Sequence, residues 1–223
     1  MSKNLHVYEE ITLLALREEA GTVISSSIYP YAVAGAIAAE LLLADRIRVE
    51  DSKEAFVEVA NDATIDDELL GECLERIRTT RRRARLRDWV GRIAGTRGLK
   101  RRVAEGLCRR GILRVDEQQV LLVFRQKVYP ELDPRPEREI VARLRKAIFT
   151  DSQQIDRPTI VLLALAQAAD LLRVPFTRGE LGGRRARIKA LASGEVVGRA
   201  TAEAIHAMEA AVVIAATAAG AAS

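Results

Sequence analysis

Arg97 and Lys100 are the side chains whose type and spacing best suit a definite chemistry. They lie one helical turn apart, and the apolar period that starts at Leu99 predicts that a helix begins beside them. Two cations at this spacing, together with the free N–H groups of a first helical turn, can converge on one phosphate group. A solvated basic face explains the same pattern, so both interpretations stay open. Arg101 is a further, weaker candidate ligand.

The pair belongs to a segment of concentrated positive charge. Residues 76–114 contain 15 Arg or Lys and two acidic residues, a net charge of +13, and since the whole chain carries +4 the remainder carries −9. This concentration indicates an anionic partner, either a phosphate headgroup or a nucleic acid. The most arginine-rich part of this segment predicts an electrostatic patch whose arginines are too closely spaced to be paired internally. A solvated loop with no ligand explains the same residues equally well. Its members are Arg81, Arg82, Arg83, Arg85 and Arg87.

An apolar run follows the basic segment almost at once. A half-buried strand alternates between apolar and polar residues, whereas every position of this run is apolar. We therefore expect a protruding apolar hairpin that inserts into lipid or joins two copies of the chain, with burial against the protein's own helices as the alternative. The predicted strands are 112–115 and 120–125, with 116–119 as the turn. The run consists of Val120, Leu121, Leu122, Val123 and Phe124.

The elements that must position these residues are predicted to be mainly helical. Hydrophobic residues make up 48% of the chain and aromatic residues only 4%, so the core must consist of Ala, Leu, Val and Ile. We expect one globular helical domain over residues 1–223 with two small β-hairpins. The first helix is predicted to start at Val7 and end at Gly21, and the second to run from Pro30 to about Ala44. The apolar segment 160–172 is predicted to lie at the centre, and a last helix to begin at about Thr201.

Residues 39–49 and 104–115 resemble each other as a helix followed by a hairpin, with Ala39 aligned to Ala104. A helix followed by a hairpin is also the shape of a winged helix. This similarity keeps nucleic-acid binding open as an alternative to membrane binding.

Several classes of site and location have no support in the sequence. The two cysteines, and the isolated His6 and His206, lack the spacing of metal ligands, so we expect no metal and no cofactor. Neither a nucleophile elbow nor a phosphate-binding loop is present, so no enzyme is expected. The apolar segments 160–172 and 210–223 are shorter than the roughly 20 residues of a membrane span. Since the first ten residues lack a signal pattern, we expect a cytoplasmic protein that associates peripherally with membranes.

Five segments of the chain are similar to the Golgi phosphoprotein 3 family and occur in that family's order and spacing. None is a strong motif alone, and the specificity of the resemblance comes from their collinearity over nearly the whole chain. The segments are residues 9–16, 38–47, 97–102, 111–113 and 162–172.

The resemblance implies a mostly helical peripheral membrane protein, since eukaryotic members bind phosphatidylinositol 4-phosphate and help retain glycosyltransferases in the Golgi. It implies a headgroup pocket in which Arg97 and Lys100 match two basic positions. The pocket's early-helix arginine falls on Ala34 and its aromatic residue near Ser25, with Tyr29 or Tyr31 as candidate replacements for the aromatic. The family's apolar hairpin, implicated in membrane insertion and self-association, falls on residues 116–127.

Three functional hypotheses follow. The first is a non-enzymatic membrane adaptor that binds anionic, phosphoinositide-like lipid and an unknown protein cargo. The second is a nucleic-acid-binding protein built from winged-helix-like units. The third is a scaffold that forms homo-oligomers through the hairpin, in which the arginines only maintain solubility.

Overall fold

The computed structural model of this chain describes residues 5–17, 22–23, 28–50, 56–120, 124–193 and Thr217. Within these ranges the chain is mainly helical, as predicted. The α-helices are α1 (Val7–Ala15), α2 (Tyr29–Leu43), α3 (Glu68–Thr79), α4 (Leu86–Ala94), α5 (Leu99–Arg109), α6 (Arg135–Phe149), α7 (Arg157–Ala168), α8 (Arg178–Gly182) and α9 (Arg185–Ala192).

Short strands pair in sequence-adjacent antiparallel ladders. These are β1 (Leu16–Arg17) with β2 (Thr22–Val23), β3 (Ile47–Val49) with β4 (Val57–Val59), and β5 (Asp116–Val120) with β6 (Phe124–Val128). The last two ladders are the predicted hairpins. The first ladder was not predicted, and it ends α1 at Ala15 instead of the expected Gly21, because Leu16 and Arg17 are extended and pair with β2.

Helices α1, α2 and α7 form the centre of the core. Every residue of α1 is buried, and α1 packs against α2, α5, α6 and α7. The predicted burial of the 160–172 segment is confirmed for Ile160 to Ala166, whose side chains are at most 1% exposed. Alanines on α2 are equally buried, which lets α1, α4 and α7 approach it closely. The predicted helix from Thr201 lies outside the described residues.

Helices α2 and α5 end in the same way. Asp45 follows α2 with a φ of 51° and Gly111 follows α5 with a φ of 72°, so both occupy the left-handed region that terminates a helix. The next N–H group then donates back to a leucine carbonyl, Arg46 to Leu41 at 2.8 Å and Ile112 to Leu107 at 3.0 Å. The two helix-and-hairpin units therefore correspond. Asp45 is equivalent to Gly111, an offset of 66 residues, whereas the sequence similarity aligns Ala39 with Ala104, an offset of 65.

The second hairpin differs from its predicted boundaries. Residues 116–119 are not a turn, since β5 contains them and pairs them with β6. In the backbone register Glu117 lies opposite Lys127, and Gln118 lies opposite Gln126. Opposite charges at facing positions favour the pairing of two strands. Ile112 and Leu113, predicted as strand residues, are instead buried at the end of α5.

The ladder shifts the apolar run to the far end of the hairpin. Val120 and Phe124 form the last pair, and residues 121–123, which connect them, lie outside the described part of the chain. Strands β5 and β6 contact each other far more than they contact any helix. The residues Asp116, Glu117 and Lys127, near the base of the hairpin, are exposed. The described part of the hairpin thus protrudes from the helical body, as predicted.

Gly111→Ala is expected to lower the free energy of unfolding by about 1–2 kcal/mol, because an L side chain resists the left-handed conformation. Gly91→Ala, in the interior of α4, is the matched control and is expected to stabilise by about 0.5–1 kcal/mol. An added Cβ meets no atom within 4 Å at either position, so only the backbone conformation differs. Urea denaturation of both variants measures the difference, and equal effects would contradict the assigned helix end.

Candidate functional site

The start of α5 carries the two predicted phosphate ligands. Gly98 precedes the helix with a φ of 72°, and its carbonyl accepts the Arg102 N–H at 2.8 Å. The left-handed turn places Arg97 just before the helix and Lys100 in its first turn. The main-chain N–H groups of Lys100 and Arg101 have no acceptor among the residues that the structure describes. Two side-chain cations and two N–H donors therefore surround one helix start.

Arg97 and Lys100 have no carboxylate partner within 4 Å in the described part of the chain, and both are exposed. Arg101 differs, since its Nε lies 3.7 Å from Glu105 Oε1. Its guanidinium also lies beside Gly98. The structure thus brings all three predicted ligands to the same helix start, but only Arg97 and Lys100 are left with their charge uncompensated.

Lys100 is held over the ring of Tyr29, with its Nζ 5.1 Å from the ring centroid. The ring is fully buried, its hydroxyl donates to Thr12 Oγ1 at 3.1 Å, and burial raises the pKa of Tyr29 to about 12. Since Tyr29 has no exposed surface, it positions the lysine and does not itself stack on a ligand.

The other positions of the pocket that the resemblance implies do not supply a ligand. Ala34 is fully buried within α2, so its side chain cannot reach a molecule at the surface. Ser25 lies outside the described residues, and Tyr31 is half-buried. The arginine and the exposed aromatic residue of the family pocket therefore have no equivalent at these described positions.

The predicted electrostatic patch occupies the connection between α3 and α4 and the first turn of α4, and it divides into paired and unpaired arginines. Arg83 bonds Glu50 and Glu58 and lies 4.8 Å from the centroid of the Phe56 ring. The expectation that the patch is too crowded for internal pairing is therefore wrong for Arg83. The strand β4, which presents Glu58 beside it, supplies the acid from a distant part of the sequence.

The remaining patch residues are engaged to different degrees. Arg87 lies 3.6 Å from Asp88, and the half-buried Arg85 forms an isolated antiparallel bridge with Phe56. Arg81 and Arg82 are exposed and have no acidic partner among the described residues. These two are the members of the patch that remain available to an anion.

Two exposed apolar residues that the sequence did not single out lie at the base of the hairpin. Val115 is 50% exposed and Leu132 is 61% exposed. They flank a backbone crossing in which the Arg114 N–H donates to the Pro130 carbonyl at 3.0 Å. Val115 ends the predicted strand 112–115, and no apolar period marks either residue. Together with Val120 and Phe124 they extend the apolar character of the hairpin toward its base.

The family follows from comparison with known sequences. A sequence model described as Golgi phosphoprotein 3 (GPP34) matches residues 7–208, which is most of the chain. The chain belongs to the Golgi phosphoprotein 3 family. The match includes Arg97, Lys100, the arginine patch and the apolar hairpin. The Golgi phosphoprotein 3 match therefore spans the whole candidate site.

No helix in the described part of this Golgi phosphoprotein 3 family member is long and apolar enough to cross a membrane. The apolar helix α7 has 12 residues, fewer than the roughly 20 that a membrane-spanning helix needs.

Arg83→Ala is expected to lower the free energy of unfolding by about 0.5–1 kcal/mol, because it removes a half-exposed ion-pair network and a cation–π contact. Arg82→Ala removes the same charge without a partner and is expected to change stability by less than about 0.5 kcal/mol. Urea denaturation of the two variants distinguishes them. A loss of stability as large in Arg82→Ala would contradict the division into paired and unpaired arginines.

Proposed function

We propose that this protein is a non-enzymatic peripheral membrane protein that binds anionic lipid headgroups. In this proposal Arg97 and Lys100 hold a headgroup phosphate, the arginine patch attracts the anionic surface, and the apolar hairpin enters the lipid. Membership of the Golgi phosphoprotein 3 family and the charge distribution both support it.

One observation carries the proposal: Arg97 and Lys100 remain unpaired at a helix start where the neighbouring cations are neutralised. Arg102 bonds Glu72 at 2.5 Å and lowers the pKa of that carboxyl, and Arg101 lies beside Glu105. If this surface were only a solvated face, we would expect Arg97 and Lys100 to have carboxylate partners as Arg101 and Arg102 do. Paired neighbours also leave a phosphate with few competing cations, which favours a defined site over a diffuse one.

The hairpin supplies a second, apolar contact. Its base exposes Val115 and Leu132, and its far end carries the apolar run. Stable association with a membrane needs two signals, since either electrostatic attraction or a short apolar contact alone is weak and reversible. The same surface could instead join two copies of the chain, and this homo-oligomer is part of the test below.

The ligand class that we propose is a phosphate-bearing lipid, with the phosphoinositides of the family as the reference. Lys100 is preoriented over Tyr29, so little side-chain freedom is lost when it binds phosphate. Position 34 carries a buried alanine where the family's pocket has an arginine, so no side chain from this position contacts a headgroup. We therefore expect weaker discrimination between inositol phosphates and simpler anionic headgroups than a complete pocket would give.

A nucleic-acid-binding function is the second candidate, and the equivalence of the two helix-and-hairpin units favours it. The exposed Lys100, Arg101 and Arg109 give α5 a basic outer face. Against it, a wing that enters a groove carries basic or polar residues at its end, whereas this hairpin carries an apolar run.

The double variant Arg97→Ala, Lys100→Ala is expected to weaken binding to anionic vesicles by roughly 10- to 30-fold, from about 1 kcal/mol per basic residue at the surface. Co-sedimentation with vesicles of phosphatidylcholine containing phosphatidylglycerol, cardiolipin or phosphatidylinositol 4-phosphate measures the partition coefficient. Binding is also expected to rise with the anionic fraction and to fall with salt.

Arg178→Ala, Lys189→Ala is the matched control, since it removes one exposed Arg and one exposed Lys from α8 and α9. The control is expected to lose much less binding than the site variant. Equal losses would show attraction by net charge alone, and salt-independent binding to neutral vesicles would refute the proposal. Tighter binding to random duplex DNA than to anionic vesicles at about 100 mM salt would favour the second candidate.

Leu121→Asp, Leu122→Asp is expected to reduce vesicle binding severalfold and to leave the remainder more sensitive to salt, because the apolar contribution is removed. Sedimentation velocity of the same variant reports whether the hairpin also joins two copies. If vesicle binding is unchanged, the hairpin does not enter the lipid. A loss of self-association with unchanged vesicle binding would assign the hairpin to the scaffold hypothesis.

A further inference from the structure

A cleft of about 470 Å³ lies between the start of α1, the end of α2, the first half of α6 and the start of α7, apart from the residues assigned to lipid binding. Its walls combine acidic and apolar side chains, with few cations. The acidic members are Glu10, Glu40, Glu139 and Asp156. The apolar members are Leu5, Pro136, Ile140 and Pro158.

Glu10 is the buried acid of this cleft. The side chain is 7% exposed, and its Oε1 accepts a hydrogen bond from Arg143. Its Oε2 is buried and has no hydrogen-bond partner among the described residues. A buried polar atom without a partner destabilises the fold, so a donor that reached Oε2 would remove this cost.

Two of the other acids, Glu40 and Asp156, are fixed in place by main-chain donors. Glu40 Oε1 accepts the Val7 N–H at 2.6 Å, and its Oε2 lies 3.4 Å from His6 Nδ1. Asp156 caps α7 by accepting the Thr159 N–H at 2.9 Å. The cleft therefore presents preorganised carboxylates whose mutual repulsion an added cation would reduce.

The lining distinguishes between kinds of cation. Within the described part of the chain no group of three His, Cys, Asp or Glu side chains is arranged to hold a metal ion. The apolar walls suit methylene groups, and the carboxylates suit N–H donors at the ends of a short chain. Both requirements are met by an aliphatic amine.

We propose that this cleft binds an aliphatic diamine, with one ammonium group donating to the buried Glu10 and the second meeting the exposed Glu139. The methylene chain lies against Pro136, Ile140 and Pro158. This function is independent of lipid binding, because none of these residues belongs to the start of α5, the arginine patch or the hairpin.

The charges that face Glu10 make diamine binding pH-dependent. Burial raises the pKa of Glu10 to about 7, and Glu40 and Asp156 add to the rise while Arg143 opposes it. Below this value the folded protein holds a proton on Glu10 and an ammonium ligand loses its partner. The pKa of His6 is raised chiefly by its hydrogen bond with Glu40. As the pH increases, His6 loses its positive charge and no longer repels a cationic ligand. Both changes favour the cation at higher pH.

Isothermal titration of the full chain with 1,4-diaminobutane at 150 mM salt tests the proposal. The affinity at pH 8 is expected to be about tenfold higher than at pH 6, from the fraction of ionised Glu10. Glu10→Gln keeps the side-chain shape and is expected to reduce the affinity at pH 8 at least tenfold. Glu139→Gln, at an exposed position, is expected to reduce the affinity severalfold, and n-butylamine is expected to bind more weakly than the diamine.

Glu75→Gln is the control, since it removes one exposed carboxylate of α3 that does not line the cleft, and it is expected to retain parental affinity. The proposal is overturned if Glu10→Gln and Glu139→Gln both bind 1,4-diaminobutane as tightly as the parent. It is also overturned if Mg²⁺ competes at equal concentration, or if the control loses as much affinity as Glu139→Gln, since either result would show attraction by net charge.

Discussion

The arrangement of this fold depends on two adjacent carboxylates in its central helix. Glu9 and Glu10 lie in α1, where every residue is buried, and each bonds one arginine from a surrounding helix. Arg110 reaches Glu9 from the end of α5, and Arg143 reaches Glu10 from α6. Removing either arginine would leave a buried carboxylate without its ion-pair partner, which destabilises a fold. The ion pairs therefore hold the end of α5 and helix α6 against α1 in addition to apolar packing.

The ion pair between Arg110 and Glu9 helps to fix the orientation of α5, and thereby the position of the candidate lipid site. Arg110 fixes the end of the helix to α1, while Lys100 over Tyr29 connects its start to α2. Leu99, Val103 and Leu107 bury the face between these ends. A helix held at both ends cannot rotate, so the same face always meets the solvent. Lys100 is consequently part of a fixed helix, and Arg97 lies in the turn directly before it.

The predictions from sequence were accurate where a local signal controls the structure. The start of α5 follows from its apolar period, and the start of α2 follows from Pro30, since proline is favoured in the first turn of a helix. The burial of α7 follows because a helix that is apolar on all sides has to lie inside. The hairpin was predicted with wrong boundaries, since a polar run without Gly, Pro or Asn can pair as a strand when its partner carries complementary charges. The short β1–β2 ladder has two residues in each strand, too few for alternation to be detected.

The candidate site was predictable only in part. Spacing and resemblance identified Arg97 and Lys100, but neither could show that they are the unpaired members of a largely neutralised group. The partners of Arg83, Arg102 and Arg110 come from β4, α3 and α1, which are distant in sequence, so pairing depends on the tertiary fold. The exposed Val115 and Leu132 also escaped prediction, because isolated apolar residues in irregular segments carry no periodic signal.

The geometry of α5 constrains how the proposed membrane contacts combine. Arg97 and Lys100 lie at its start, and the hairpin follows its end after Gly111. Eleven residues at 1.5 Å each separate these ends by about 16 Å. If α5 lies close to parallel to the surface, both contacts can meet one flat bilayer. In that orientation Lys100, Arg101 and Arg109, which are exposed along the helix, would all lie near the headgroups. The hairpin would then have to turn away from the helix axis toward the lipid, and the left-handed Gly111 lies where such a turn is made.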